Sequence, residues 1–211
     1  MGKLPDARPL LYYITDRRSL PGEDPLPAIE RAIAARIELI QLRERDLPTR
    51  TLLALAEAAV ARARGSPTHV LINDRLDVAL AAGAAGVHLP THGFRPAEVR
   101  ARYPELLLGA SCHNLEEVQR AEAGGADFVV FGPVFATASK TPYGPPLGLE
   151  KLTQAVGATR IPVLALGGVA LENAADCLRA GAVGVAAITL FQASTDLKET
   201  VRRLRGQAEG P

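Results

Sequence analysis

The chain has no tryptophan, one methionine and two cysteines among its 211 residues, and only 4% of it is aromatic. Each scarcity removes a class of function. So few aromatic rings give no platform on which nucleic-acid bases could stack. A net charge of +1, with basic clusters no longer than Arg17-Arg18 and Arg202-Arg203, gives no electrostatic footprint for nucleic acid or for an anionic membrane surface. Cys112 and Cys177 cannot build a disulfide framework, and no Cys/His spacing matches a zinc site. No apolar run is long enough to span a bilayer, and Met1–Pro9 lacks the apolar core of a signal peptide. The expectation is a cytoplasmic protein, alone or as a homo-oligomer, that binds neither nucleic acid nor membrane.

What is present is an ordinary globular composition, 47% hydrophobic and 22% charged. A chain of this length buries one large core or at most two small ones. No interior stretch has the composition of a linker, so residues 1–211 read as a single domain, with 1–9 and 206–211 as frayed ends.

Short apolar, β-branched runs alternate with Ala-, Leu- and Glu-rich stretches. The predicted strands are Leu10–Ile14, Glu38–Leu42, His69–Ile72, Gly86–Leu89, Leu107–Ser111, Phe128–Phe131, Pro162–Leu166 and Gly184–Ile188. Helical patterns fall between them, among them Thr49–Arg64, Leu115–Ala123, Leu149–Val156 and Leu171–Ala180, and Asn114 with Glu117 has the spacing of a capping box. The joints Gly83-Ala-Ala-Gly-Val87, Gly125-Ala-Asp-Phe-Val129 and Gly181-Ala-Val-Gly-Val185 form a weak internal repeat, each leading from an Ala-rich helix into a strand. Glycine there can take the left-handed conformation that ends a helix. The joint suits an open sheet as well as a barrel. The count of eight selects a (β/α)₈ TIM barrel, compact beside the usual size of about 250 residues.

In such a barrel the chemistry lies at the carboxyl ends of the strands. Seven successive strand ends carry groups suited to binding or proton transfer: Gln41-Leu-Arg-Glu-Arg45, Asn73-Asp74, Leu89-Pro-Thr-His-Gly93, Ser111-Cys-His113, the loop with Thr137, Ser139 and Lys140, Gly167-Gly168, and Ile188-Thr189. The loop after the sixth strand offers two hydroxyls and one of only four lysines. It either binds an anion or caps its own backbone. Gly168, Ile188 and Thr189 follow strands seven and eight, where barrels of this kind hold phosphate; the alternative is a plain turn. Gln41 and Arg43 share one facing, and arginine suits bidentate recognition of carboxylate or phosphate. The alternative for Arg43 is a surface salt bridge to Glu44 or Asp46. His113 ends a strand and opens a helix, which favours a neutral imidazole able to act as general base; otherwise it caps or packs. His88 reads as structural, Cys112 as packing between barrel and helices, and His92 and Tyr143 have no assigned role. The segment 136–146 is expected to close over a ligand.

With these residues in place, the chain resembles the thiamine phosphate synthase and thiazole tautomerase superfamily over nearly its whole length. The marks are Ile14-Thr-Asp-Arg17, Gln41-Leu-Arg-Glu44, Ile72-Asn-Asp74, Gly86-Val-His-Leu89, Gly109-Ala-Ser-Cys-His-Asn-Leu-Glu-Glu117, Gly132-Pro-Val-Phe135 with Lys140, Gly148-Leu149 and Gly167-Gly168. For a synthase, the resemblance implies a pyrimidine diphosphate held by Gln41, Arg43, Asn73 and Lys140 with help from Thr137 and Ser139, and Mg²⁺ on two aspartates. It also implies a thiazole phosphate at Gly168, Ile188 and Thr189. The first of those aspartates matches Asp74, but the second falls on Gly93. Arg45 replaces the usual lysine.

Leu89-Pro90, Phe94-Arg-Pro96 and Ala101-Arg-Tyr-Pro104 are similar to the tautomerase branch. The leading expectation is therefore a thiazole tautomerase, an isomerase without cofactor or metal that aromatises a thiazole phosphate carboxylate in thiamine biosynthesis. His113 would carry the proton, and Gln41, Arg43, Asn73, Ser111, Thr137, Ser139 and Lys140 would bind the carboxylate. The alternative is the synthase, a transferase using Mg²⁺ at Asp74. A third reading is a barrel that binds a phosphorylated metabolite without turnover.

Overall fold

Eight short strands with apolar residues on both faces are buried on both faces when the sheet closes on itself and helices cover its outside. The computed structural model, which describes residues 4–137 and 145–207, has this architecture. Strands β1 (Leu10–Ile14), β2 (Leu39–Leu42), β3 (His69–Asn73), β4 (Gly86–Leu89), β5 (Leu107–Cys112), β6 (Phe128–Phe131), β7 (Val163–Leu166) and β8 (Gly184–Ala187) pair in parallel in chain order and close as a barrel. β1 completes the ring against β8, with Leu10 opposite Gly184 and Tyr13 opposite Ala187. The (β/α)₈ expectation holds, and the strand bounds shift by no more than one residue.

Alternation sorts the side chains into two cores. Leu10, Tyr12, Ile14, Leu39, Leu71, Leu107, Phe128, Val130, Leu164 and Ala186 fill the barrel interior. The intervening positions, such as Leu11, Ile40, Ile72, Val87, Leu108, Val129, Val163 and Val185, join the cluster that packs against the helices. Those helices are α1 (Leu26–Ala34), α2 (Thr49–Ala63), α3 (Leu76–Ala82), α4 (Pro96–Arg100), α5 (Leu115–Ala123), α6 (Gly148–Gly157), α7 (Ala174–Arg179), a single turn α8 (Thr189–Gln192) and α9 (Leu197–Gly206). Before β1, Leu4 packs against the inner cluster.

The three repeated joints behave as read: Gly83, Gly125 and Gly181 have φ of 63°, 80° and 96°. Gly109 has a different task. A Cβ there would lie 2.5 Å from the Phe128 ring and 2.7 Å from Nδ1 of His88, so only glycine leaves room for the Tyr12, His88 and Phe128 rings inside the barrel.

One boundary and one cap differ for identifiable reasons. α7 begins three residues after Leu171 because the Asn173 side chain accepts from Ala170 N (2.8 Å) and donates to Gly168 O (2.9 Å), which holds the preceding loop out of the helix. At α5, Asn114 caps Glu117 N at 2.9 Å, but the Glu117 carboxylate accepts from His113 N (2.7 Å), so the reciprocal bond of the expected box falls one residue early.

Candidate active site

Continuing the inward alternation to the carboxyl ends of the strands brings Gln41, Asn73, His88, Ser111, Leu166 and Ile188 to one mouth, with Arg43, His113 and Gly168 one step beyond. The floor of that mouth is a hydrogen-bonded row. Gln41 Nε2 donates to Tyr12 Oη (3.0 Å), Tyr12 Oη meets His88 Nδ1 (3.3 Å), and His88 Nε2 meets Ser111 Oγ (2.9 Å). Burial lowers the His88 pKa to about 3 and pushes the Tyr12 phenol up, beyond its ordinary range. Both are neutral at physiological pH. The Tyr12 phenol is fully buried, and among the described residues His88 Nδ1 is the one acceptor within reach of its proton, which assigns that proton to the Tyr12–His88 bond. The imidazole then carries its proton on Nε2 and donates to Ser111, leaving the Ser111 hydroxyl to donate toward the mouth. His88, read from sequence as structural, is thus buried beneath the site and orients it.

Around the floor stand polar groups that are not engaged with other described residues. The side chains of Arg43, Asn73 and Asp74 are half-buried and make no hydrogen bond or ion pair with another described residue. Arg62, Arg100 and Arg205, by contrast, pair with Glu30, Asp127 and Glu38. Asp74 has a φ of 64°, a left-handed conformation that aspartate tolerates better than most residues and that concentrates at functional turns.

The salt bridge considered for Arg43 does not form, because its acidic neighbours are held by others. Glu44 is buried and accepts from Thr15 Oγ1 (2.5 Å) and Arg17 N (3.2 Å), while Asp46 pairs with Arg17 and Arg18. Thr15 Oγ1 in turn accepts from Arg43 N at 3.1 Å. The Glu44 carboxylate therefore latches the ends of β1 and β2 and fixes the backbone from which Arg43 projects.

His113 is at the rim, its side chain 39% exposed, with Nδ1 3.1 Å from Glu117 Oε2. Cys112 faces away and is buried, and burial raises its thiol pKa to about 12. His92 is exposed. Across the mouth, Gly167 and Gly168 have φ of 96° and 64°, and a Cβ on them would lie 2.6 Å from Pro133 and 2.5 Å from Ala136 O. Glycine is required at both, and it leaves backbone facing the mouth. Ile188 and Thr189 form the adjoining turn into α8. Thr137 is half-buried at the end of the described segment. Ser139, Lys140 and Tyr143, and with them most of 136–146, lie outside the described residues.

The site thus joins Gln41, Arg43, Asn73, Asp74, Ser111 and His113 on one side to Gly168, Ile188 and Thr189 on the other. Sequence reasoning did not find Tyr12 as the partner of Gln41, Glu44 as that of Thr15, or Glu117 as that of His113. Only the inward phase of Ile14, two residues on, points to Tyr12.

Among the described residues no three His, Cys, Asp or Glu side chains cluster as a metal cage. Asp74 can share a cation with substrate oxygens, which suits Mg²⁺: it takes one or two carboxylates plus phosphate and water. Gly93 adjoins it, and a Cβ at Gly93 would sit 2.4 Å from Asp74 Oδ1. The space of a side chain at 93 is already taken by the Asp74 carboxylate.

Comparison with known proteins bears on the choice of reaction. The family model described as thiamine monophosphate synthase matches residues 11–191. The chain is similar to the thiamine-phosphate synthase of Roseiflexus castenholzii, 39% identical over 202 residues that cover 95% of this chain and 88% of the relative. It is likewise similar to that of Moorella thermoacetica, 38% identical over 197 residues, covering 92% and 93%. Among solved structures it matches thiamine phosphate pyrophosphorylase from Pyrococcus furiosus, with a TM-score of 0.85, 33% identity and 96% of each chain covered. These relatives carry transferase names, and they overturn the expected thiazole tautomerase and its isomerase class. The expectation rests on Gly93 as a missing carboxylate ligand, but one carboxylate, that of Asp74, is enough for a cation shared with a diphosphate.

Proposed function

The chain belongs to the thiamine monophosphate synthase family, and from that premise we propose that it is a thiamine-phosphate synthase, joining hydroxymethylpyrimidine diphosphate to thiazole phosphate with release of diphosphate. The carrying observation is the set of Arg43, Asn73 and Asp74, whose side chains pair with no other described residue, on the mouth opposite the glycine-lined turn of Gly168, Ile188 and Thr189. Two anionic substrates need two such subsites.

In this transfer the bond from the pyrimidine methylene carbon to the diphosphate oxygen breaks, and its electron pair leaves with the diphosphate. The thiazole ring nitrogen supplies the pair for the new carbon–nitrogen bond. No proton is gained or lost, so the step calls for charge stabilisation more than for acid–base chemistry. Arg43 would take the diphosphate in bidentate fashion, assisted by Asn73 and by Thr137, Ser139 and Lys140. Gln41 and the donating hydroxyl of Ser111 would orient the pyrimidine from the neutral floor. Gly168, Ile188 and Thr189 would hold the thiazole phosphate through backbone N–H groups. Mg²⁺, held by Asp74, would supply neutralisation of the charge developing on the leaving diphosphate. His113 has no proton to move here and would contribute a rim contact.

The test is direct. Purified protein with both substrates and millimolar Mg²⁺ should form thiamine phosphate and diphosphate in equal amounts. A folded protein that yields neither at saturating substrate would overturn the assignment.

A further inference from the structure

Gln192 ends the single turn α8 and is buried, 7% exposed, although it is a polar residue with four hydrogen-bonding capacities. All four are used. Oε1 accepts from Tyr13 Oη (2.7 Å) and from Asp16 N (3.3 Å); Nε2 donates to Asp16 O (2.7 Å) and Ser19 Oγ (2.6 Å). Every partner belongs to β1 or to the connection that follows it.

The location gives this amide its meaning. The β8–β1 ladder ends at Tyr13 opposite Ala187. Beyond that point the chain on the β8 side coils into α8 and offers β1 no further main-chain partner. The Gln192 side chain meets both the N–H and the C=O of Asp16, as another peptide group would, and so extends the seam past the end of the strand. The Gln192 main chain is tied back as well: its N–H donates to Ile188 O (2.9 Å), and Arg31 donates to Gln192 O (3.3 Å) and Ser194 O (3.2 Å). The turn carrying Ile188 and Thr189 is therefore anchored one helical turn away by a saturated buried amide. Its own residues make few other side-chain ties: Thr189 is exposed and Ile188 half-buried.

We propose that Gln192 is a positioning residue for the phosphate subsite, fixing the Ile188–Thr189 turn against Gly168 through its bonds to Asp16 and Ser19. The proposal rests on the reading that the thiazole phosphate lies at Gly168, Ile188 and Thr189. A residue that merely closed the seam would lower stability and affect all substrates alike. A positioning residue affects the phosphorylated thiazole selectively.

The test compares wild type with Gln192→Met, which keeps length and bulk but makes none of the four bonds. It uses thiazole phosphate, the same thiazole lacking phosphate, and the pyrimidine diphosphate. KM for thiazole phosphate should rise about tenfold or more, because small misplacements of binding groups are costly. The change for the other two compounds should stay within about twofold. Equal losses on both thiazoles, or no change, would overturn the proposal. Should Gln192→Met not melt cooperatively, Tyr13→Phe and Ser19→Ala each remove one bond. Each should raise KM for thiazole phosphate about two- to threefold with the same selectivity, and its absence in both counts equally against the proposal. Thr189→Asp separates the premise from the inference. An unaltered KM for thiazole phosphate in that variant moves the phosphate elsewhere; a raised KM there without selectivity at Gln192 refutes the inference alone.

Discussion

Acid should destabilise this protein through one imidazole that never meets solvent. His88 is 2% exposed and its pKa is lowered to about 3 by burial, while an imidazole in the unfolded chain titrates near about 6.5. Between those values the unfolded chain binds a proton that the folded chain refuses, so stability falls as pH falls. It is fully present above about pH 6.5 and declines by about 1.4 kcal/mol per pH unit below it. The loss amounts to about 2 kcal/mol at pH 5 and about 5 kcal/mol near pH 3, against a typical total of roughly 5–15 kcal/mol. Urea unfolding of wild type and His88→Gln, from about pH 7.5 to about pH 4.5, isolates the contribution as a difference in slope. The variant also loses the Tyr12 and Ser111 bonds and starts from a lower stability, so the slope and not the intercept is the readout. Asp46, Asp77, Glu122 and Glu199 have carboxyl pKa values lowered by their hydrogen-bonding partners. Their share is present above the ordinary carboxylate range, is lost only at lower pH, and cancels in the difference. Parallel slopes for the two proteins, or a native His88 resonance that titrates near neutrality, would refute the reasoning. The neutral Ser111 donor would then lose its basis as well.

Three further perturbations separate the roles at the mouth. Asp74→Asn keeps a residue tolerant of the left-handed φ of 64° and removes the charge. The Mg²⁺ concentration for half-maximal rate should rise about tenfold or more with the melting temperature unchanged, and an unaltered metal dependence would remove Asp74 from the site. His113→Ala should cost less than about tenfold in turnover, because the transfer moves no proton; a loss of about 10²–10⁴-fold would instead mark a general base. Glu44→Gln loosens the latch on Thr15 and Arg17 N, with an expected loss of about 1–3 kcal/mol and a several-fold higher KM for the pyrimidine diphosphate. Urea titration and steady-state kinetics check both, and an unchanged KM would mean that Arg43 needs no such latch.

The barrel and one side of its mouth were legible because both depend on local rules. Apolar runs of four to six residues, glycines at the helix-to-strand joints, and a period of two along each strand place Gln41, Arg43, Asn73 and Ser111 on one inner face without knowledge of any contact. The supports of that face were not legible, because they join residues far apart in the chain. Glu44 serves Thr15 across 29 positions and Gln192 serves Asp16 across 176. In sequence, Glu44 is one more acidic residue between two arginines, and surface pairing with Arg43 is the natural expectation. Only the closed ring shows that β1 sits between β2 and β8, so that its end is held from one side by Glu44 and from the other by Gln192.

The choice between isomerase and transferase turned on how much weight a few loop positions can bear. Phe94, Arg95, Ala101, Arg102 and Pro104, in the stretches that resembled the tautomerase branch, are exposed, Phe94 by 54%. Exposed loop positions vary readily without changing the scaffold. His113 serves neither reading exclusively, and Gly93 carried the remaining weight as a missing ligand. Yet magnesium shared with a diphosphate draws most of its ligands from phosphate oxygens and water, so the number of protein carboxylates sets affinity before it sets reaction class. An overall identity of 39% over 202 residues, covering 95% of this chain, outweighs those few loop positions.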